Sequence, residues 1–370
     1  MADVWVGGET GILKGVDLNK KTFQNYGDIA NAEKEVDEIC RMCWFDDEER
    51  KICMGIRSGV CKIFDVDVGD FIDERKCFDQ SDGRIVGLDR NERALMVCCE
   101  NGIMRIFHDS SEAKTDVKVG SHIARMRINP FEKCQVATGG NENVLKLWDL
   151  NRPEKPLFKA KNVRNDHLDL QVPEYVKDIA FLSSPGSLPR IIVANIYHKL
   201  RVYDPEAQKR PVLDFSYEES PITCVALPSH ERFVVVGNAL GEMAAIDIRN
   251  GKNLGSFKFF SGTINDIYCH RSEPLVASCG LDRFLRVHHM ESRKLLNKIY
   301  MKSRLNSVLF SKNAKKSGEK ANLGKRKQDK EIGDDYDGDE DDIWRNMSVV
   351  KDDVIEKKTK PSGGNEDREG

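Results

Sequence analysis

The side chains whose types and spacing would permit chemistry are few in this chain of 370 residues. Cys40 and Cys43 form one Cys-x-x-Cys, a spacing at which two thiolates can share a zinc ion. No second pair follows at ligand distance, and the surrounding EICRMCWF reads as a strand. The acidic run DDYDGDEDD has the composition of a calcium loop. Counting from Gly338, however, puts Gly333 at the first ligand position and Trp344 at the twelfth, and neither offers a carboxylate. His288 and His289 stand together without an acid or nucleophile beside them. No Walker-type loop, His-Glu-x-x-His, Gly-x-Ser-x-Gly elbow or dinucleotide fingerprint occurs. Binding without catalysis, metal or cofactor is the expectation.

A different set of acids recurs with a period. The phrases VWVGGETGILKGVDL, ICMGIRSGVCKIFDV, MVCCENGIMRIFHD, VATGGNENVLKLWDL, IVANIYHKLRVYDP, VVVGNALGEMAAIDI and VASCGLDRFLRVHHM share one plan: an apolar run, a small-polar turn, a second run, then Asp or His. Each reads as a β-hairpin. The last position falls at Asp17, Asp65, His108, Asp149, Asp204, Asp247 and His289, in steps of 48, 43, 41, 55, 43 and 42 residues. Most match the blade of a WD-repeat propeller. Further strands between hairpins, such as PITCVALP and NLGSFKFF, bring each unit to four. The expected fold is all-β, a seven-bladed WD-repeat propeller over residues 1–311, followed by a disordered, charged tail over 312–370 with almost no large apolar residues.

Closure is also legible. The first phrase begins at the second strand of its blade, and a short alternating run, SRLNSVLFS (303–311), remains after the seventh. Placed in the first blade, it removes the free edge of an open ring. The repeat is divergent, since Trp148–Asp149 is its one literal Trp-Asp pair and Gly-His is degraded to forms such as Ser121–His122. Asp17, Asp65, Asp149, Asp204 and Asp247 are expected as structural turn acceptors, bonded by backbone and a neighbouring His. An enzyme on this scaffold would need acids or histidines converging in the central channel, and no such set is read from the sequence.

The long step before Asp204 contains KNVRNDHLDLQVPEY, Lys161–Tyr175, which connects the fourth blade to the fifth. Long connections in compact domains are functional or disordered. Here Val163, Leu168, Leu170 and Val172 are expected to anchor, with Arg164, Asn165, Asp166 and Asp169 presenting polar groups. The alternatives are a contact surface or an extended strand with a solvated turn. Arg164 offers a planar fork for a carboxylate, phosphate or carbonyl. Arg283, with Asp282 beside it, takes an equivalent rim position on the seventh blade. Both arginines read equally as partners in surface ion pairs.

The chain is 39% hydrophobic and 32% charged with a net charge of −3, which gives it no overall field to gather nucleic acid. Its eleven cysteines lie mostly in strand-like runs and read as reduced, buried thiols of the cytosol or nucleus. The first residues have no signal-peptide pattern, and no run is long and apolar enough for a membrane span. Beyond Lys312, basic clusters precede the acidic block. Lys315–Lys316 and Lys325–Arg326–Lys327 suit either a nuclear-import signal or a solvated linker. In DDIWRNM, Ile343, Trp344 and Met347 have the spacing of one apolar helix face, suited to docking.

With these features in place, VWVGGETGILKGV, VATGGNENVLKLWDL, AKNVRNDHLDLQVP, RVYDP followed by KRPVL, VASCGLDRFLRVHH and YMKSRLNSVLFS resemble the nucleolar WD-repeat family that acts in assembly of the large (60S) ribosomal subunit. The resemblance spans nearly all of residues 4–311, insertion included. It implies a non-enzymatic scaffold on nucleolar precursors, supporting processing of precursor rRNA. Its implied partners are pre-60S assembly factors and ribosomal proteins, with limited or indirect rRNA contact. It also implies release by a nuclear AAA-type ATPase related to the valosin-containing protein. Carried onto the insertion, it assigns Arg164, Asn165, Asp166, Leu168 and Asp169 to the particle-facing surface, with His167 where an aromatic Trp is expected. A monomer within a large particle, located in the nucleus and nucleolus, follows from it. A substrate receptor of a ubiquitin ligase would use the same rim and is the competing reading.

Overall fold

A strand buried on one face alternates apolar and polar residues, but Ala94–Cys99, Gln135–Gly140, Phe233–Asn238 and Leu275–Gly280 are buried at all six positions. Such runs need neighbours on both faces. The computed structural model, which describes residues 2–27, 36–109, 114–183 and 188–314, provides them. Among the described residues, seven antiparallel sheets of four strands form a seven-bladed β-propeller, and a single short 3-10 turn, Gln80–Asp82, is its one helical element. All seven hairpins read from the sequence are present. Seven apolar clusters each draw on two neighbouring blades. Trp5 and Leu13 of the first meet Ile39, Met42 and Ile52 of the second, and Ile192 and Val202 of the fifth meet Ile222 and Val234 of the sixth. Glycine permits the closest of these approaches: a Cβ at Gly7 would stand 2.6 Å from Ile39 Cγ2, and one at Gly139 would stand 2.6 Å from Val176 Cγ1.

The first blade is completed by the strand Leu305–Phe310, which pairs antiparallel with Val4–Gly8 in the register Val4 to Phe310 and Val6 to Val308. Both neighbouring blades grip this strand. Trp44 Nε1 of the second donates to Phe310 O at 3.0 Å, and the His270 Nε2 of the seventh lies 3.1 Å from Ser311 O. Beyond residue 311 the described residues make further contacts with the ring. Lys312 N donates to the Glu49 carboxylate, and Ala314 is buried in the apolar cluster between the seventh and first blades. Lys315, Lys316, Lys325, Arg326, Lys327, Ile343, Trp344 and Met347 lie outside the described residues.

Around the axis the innermost strands are joined by side chains at every blade junction. Asn306 Nδ2 donates to Ile39 O at 3.2 Å, and Arg41 Nε to Val86 O at 3.2 Å. Asp89 Oδ2 accepts from Ile128 N at 3.4 Å. Arg125 Nε lies 2.7 Å from Asp178 Oδ1, while Asp178 Oδ2 accepts from Val225 N at 3.0 Å. Thr223 Oγ1 donates to Ile264 O at 2.5 Å, and Asn265 Nδ2 to Leu305 O at 2.7 Å. Asp266 Oδ2 accepts from Val308 N at 3.1 Å. Burial acts to raise the pKa of Asp178, but Arg125 and Arg127 outweigh it and hold the carboxyl well below the usual carboxylate range.

Two outcomes follow. Ending the chain at Arg304 removes the buried Leu305, Val308, Leu309 and Phe310. At roughly 1.5–3 kcal/mol for each side chain, the loss is about 6–12 kcal/mol, comparable with the whole stability of a typical domain. A scanning-calorimetry melt should lose its cooperative transition, whereas ending at Ala314 should leave it in place. Asp178→Leu strands Arg127 and leaves Arg125 only the more distant Asp266, and should cost about 3–5 kcal/mol in urea unfolding; a change under about 1 kcal/mol would deny the network a structural role.

Candidate functional site

The periodic acids face short turns. Asp17 Oδ1 accepts from Asn19 N at 3.0 Å and Lys20 N at 2.9 Å, and Asp65 Oδ1 from Asp67 N at 3.0 Å and Val68 N at 3.1 Å. Asp149, Asp204 and Asp247 accept in the same way from Asn151 N, Glu206 N and Arg249 N. The neighbouring His expected as a second donor is not found on any of them among the described residues. Where His289 replaces the acid, its Nδ1 lies 3.2 Å from Ser292 N, the same backbone-capping position. These turns lie where third strands pass to fourth, and that of the fifth blade reaches the base of the insertion.

The insertion leaves the outer strand Phe158–Lys159 and enters the inner strand Val176–Leu182. Its base is tied to the fifth blade: Lys161 N donates to Lys209 O at 2.8 Å and Arg210 Nε to Asn162 O at 3.2 Å. At its far end Glu174 is buried and pairs with Arg201, whose Nε also lies 3.2 Å from Asp214 Oδ2. Between these anchors the tip folds on itself. Asp166 Oδ1 accepts from Leu168 N at 2.8 Å and Leu170 N at 2.9 Å, and Asn165 Nδ2 donates to Asp169 Oδ1 at 2.9 Å. Asn165, Asp166 and Asp169 therefore shape the turn. The expectation that Leu168 and Leu170 anchor the segment is corrected: they are 66% and 59% exposed, because the turn is held by its polar groups. Val163 and Val172 are half-buried. Arg164 is exposed and forms no ion pair among the described residues.

On the seventh blade Asp282 does not face outward beside Arg283. Its side chain is 9% exposed, with Oδ2 2.6 Å from the buried Arg286 Nη1 and Oδ1 accepting from Phe284 N at 3.1 Å. The turn requires that carboxylate to cap its backbone and to neutralise Arg286, which lies over the Phe260 ring. Arg283, at φ 66°, is exposed and without an ion pair among the described residues. His288 packs parallel to Phe260 with Nε2 3.2 Å from Lys258 O, and burial brings its pKa down to about 4, so it is neutral at pH 7.

Leu240 is 68% exposed and Phe259 61%, and Tyr197, Leu281 and Tyr300 are exposed with them. All five stand in second-to-third-strand turns or at outer-to-inner connections of the fifth, sixth and seventh blades, the side of the ring from which the insertion also springs. Among the described residues, no large apolar side chain is exposed in the corresponding turns and connections of the first three blades. Spacing did not reveal this concentration, because each residue belongs to a different repeat.

The channel corrects a further expectation. Asp89, Asp178 and Asp266 do converge there with Arg41, Arg125 and Arg127, and the nearby Cys224 thiol is pushed well up by burial. Guanidinium pairing keeps Asp178 ionised and unable to act as an acid near neutrality. Cys40 and Cys43 are buried in the strand Ile39–Trp44, and burial together with Glu38 pushes the Cys40 thiol up to about 11. Among the described residues no group of three or more His, Cys, Asp or Glu is placed to hold a metal ion, and the acidic DDYDGDEDD run lies outside them.

No protein-family model matches the chain. WD repeat-containing protein 74 of Homo sapiens is 42% identical over 315 residues, which cover 83% of this chain and 80% of that protein. The ribosome biogenesis protein NSA1 of Meyerozyma guilliermondii is 28% identical over 309 residues, 72% of this chain and 71% of its own length. Among solved structures, the crystal structure of the computationally designed Ika8 protein matches with a TM-score of 0.61 at 14% identity, covering 84% of this chain and 88% of the designed one. That likeness speaks to architecture alone. Identity at this level, extended over most of both sequences, places the chain in the family of WD repeat-containing protein 74.

Proposed function

We propose that this chain is a non-catalytic assembly factor of the large ribosomal subunit, a propeller that docks protein components of nucleolar pre-60S precursors and so supports processing of precursor rRNA. The observation that carries the docking mechanism is the exposed apolar set on one side of the fifth to seventh blades, beside an insertion whose tip is already ordered by Asn165, Asp166 and Asp169. Exposed apolar residues gathered on one side of a soluble fold mark an interaction surface. The names of the NSA1 relatives support the setting. With a net charge of −3, contact with rRNA is limited and protein contacts dominate. In this reading Arg164, Leu168 and Arg283 meet the partner directly, while Asn165, Asp166, Asp169 and Asp282 hold the surface in shape.

The tail completes the proposal. Lys325, Arg326 and Lys327 serve nuclear import, and Ile343, Trp344 and Met347 dock a further component. A nuclear AAA-type ATPase related to the valosin-containing protein releases the factor, a monomer within the particle.

The test is gentle purification of a tagged chain, followed by RNA blotting and mass spectrometry for large-subunit precursors. Replacing Arg164 by Ala and Leu168 and Leu170 by Ser removes outward side chains with no assigned role in holding the turn. Precursor recovery should fall about tenfold or more, as loss of roughly 1.4 kcal/mol or more from a hot spot requires. The melting temperature should stay unchanged. Absence of precursors from the unaltered chain, or recovery of cullin adaptors in their place, would sink the assembly reading.

A further inference from the structure

The innermost strands share an irregularity. Register slips between Ile39 and Arg41, Ile85 and Gly87, Ile123 and Arg125, Val176 and Asp178, Ile222 and Cys224, and Ile264 and Asp266. In the first blade the slip falls between Gly7 and Gly8 and leaves Asn306 without a register partner. One residue per blade is thus released from pairing near the start of the inner strand. Six of these seven are neutral. Asn306, Thr223 and Asn265 turn their polar groups onto backbone of the next blade, and the others are Cys40, Val86 and Ala124. The seventh is Lys177.

Lys177 makes no hydrogen bond or ion pair among the described residues. Burial is the main cause that lowers its pKa, the cations Arg84, Arg41 and Arg125 of other blades add to it, and Asp178 acts more weakly the other way. The carboxylates deeper in the channel are occupied. Asp178 serves Arg125, Arg127 and two backbone amides. Asp266 serves Ser307, Val308 N and, at 3.7 Å, Arg125. Arg41 has no carboxylate within ion-pair distance among the described residues, and Arg84 has only Glu100 at 3.7 Å, on the surface. Lys177 and Arg41 are therefore partly desolvated without a carboxylate paired to either among the described residues, an arrangement that is costly unless something supplies one.

We propose that the channel mouth beside Lys177 binds an oxyanion, a carboxylate or phosphoryl group, carried on an acidic segment of a partner protein. The released residues lie at the ends of the inner strands where outer-to-inner connections enter, on the side of the ring that bears Leu240, Phe259 and the insertion. A segment docked there would have the mouth within its footprint. A protein side chain suits one small positive site ringed by strands, whereas a nucleic-acid backbone requires an extended basic track. Only the source of the anion rests on the docking reading. Anion binding is measured on purified protein and assembly by co-purification, so each can fail alone.

The experiment titrates the full chain, in chloride buffer at fixed ionic strength, with sodium pyrophosphate, a hexa-aspartate peptide and hexa-uridylate, using calorimetry and thermal melts. Pyrophosphate and hexa-aspartate should bind one to one, compete, and raise the melting temperature. Lys177→Met and Arg84→Gln should each weaken binding about tenfold, and Lys155→Met, on the opposite side of the ring, should not. Without added anion, Lys177→Met should melt at or above the unaltered protein, because it removes an unneutralised cation. Equal binding by Lys177→Met and the unaltered chain would overturn the site. Tighter binding of hexa-uridylate than of hexa-aspartate would overturn the protein source.

Discussion

Every packed interface in this molecule depends on the pairing of Leu305–Phe310 with Val4–Gly8. A blade is a four-stranded sheet buried on both faces, and it has no core of its own. Each apolar cluster belongs to two blades, so the ring is stable only when no blade has an open side. The first blade gathers strands from both ends of the described sequence, and its closing strand supplies Leu305, Val308 and Phe310 to one interblade cluster and Leu309 to the next. Trp44 and His270 hold the main chain of the same strand from opposite neighbours. Disruption at this seam would open two of the seven interfaces, unlike the fraying of a terminal repeat in an open solenoid.

The parts legible in the sequence were those written by local periodicity. Hairpins, blade spacing and the closing strand follow from apolar runs and turn residues a few positions apart, and the structure agrees on all of them. What escaped depends on residues brought together only by the ring. Arg125 and Asp178 sit in different repeats, so their pairing is invisible to a periodic reading, and the convergence of Asp89, Asp178 and Asp266 was missed for the same reason. The pairing of Asp282 was hidden as well, because sequence shows its neighbour Arg283 but not that Arg286, four residues on, is buried and claims its carboxylate. Leu168 and Leu170 were expected to anchor because apolar residues ordinarily do; here the turn's hydrogen bonds leave them outside.

That exposure has an energetic meaning. A loop ordered only on binding loses conformational entropy at that moment, which subtracts from affinity. The tip of the insertion is already ordered by Asn165, Asp166 and Asp169, and its base by Lys209 and Arg210. The outward Arg164, Leu168 and Leu170 are thus presented on a prepared surface. Polar residues of the insertion divide into those that make the shape and those that remain available to a partner.

The same division separates the channel's side chains. A junction between inner strands needs only one donor and one acceptor, and Asn306, Thr223 and Asn265 satisfy it with neutral groups. The second to fifth blades meet the same need with ions, although buried ion pairs are weak contributors to stability after desolvation. Ring closure alone therefore does not account for Arg41, Arg125, Arg127 and Lys177. Balanced pairs would be the least costly use of charge in such a place, yet the carboxylates are engaged deeper in the channel while Lys177 stands unpaired near the mouth. The neutral junctions show what structure requires; the excess of cations marks the point where the fold has charge to offer something outside itself.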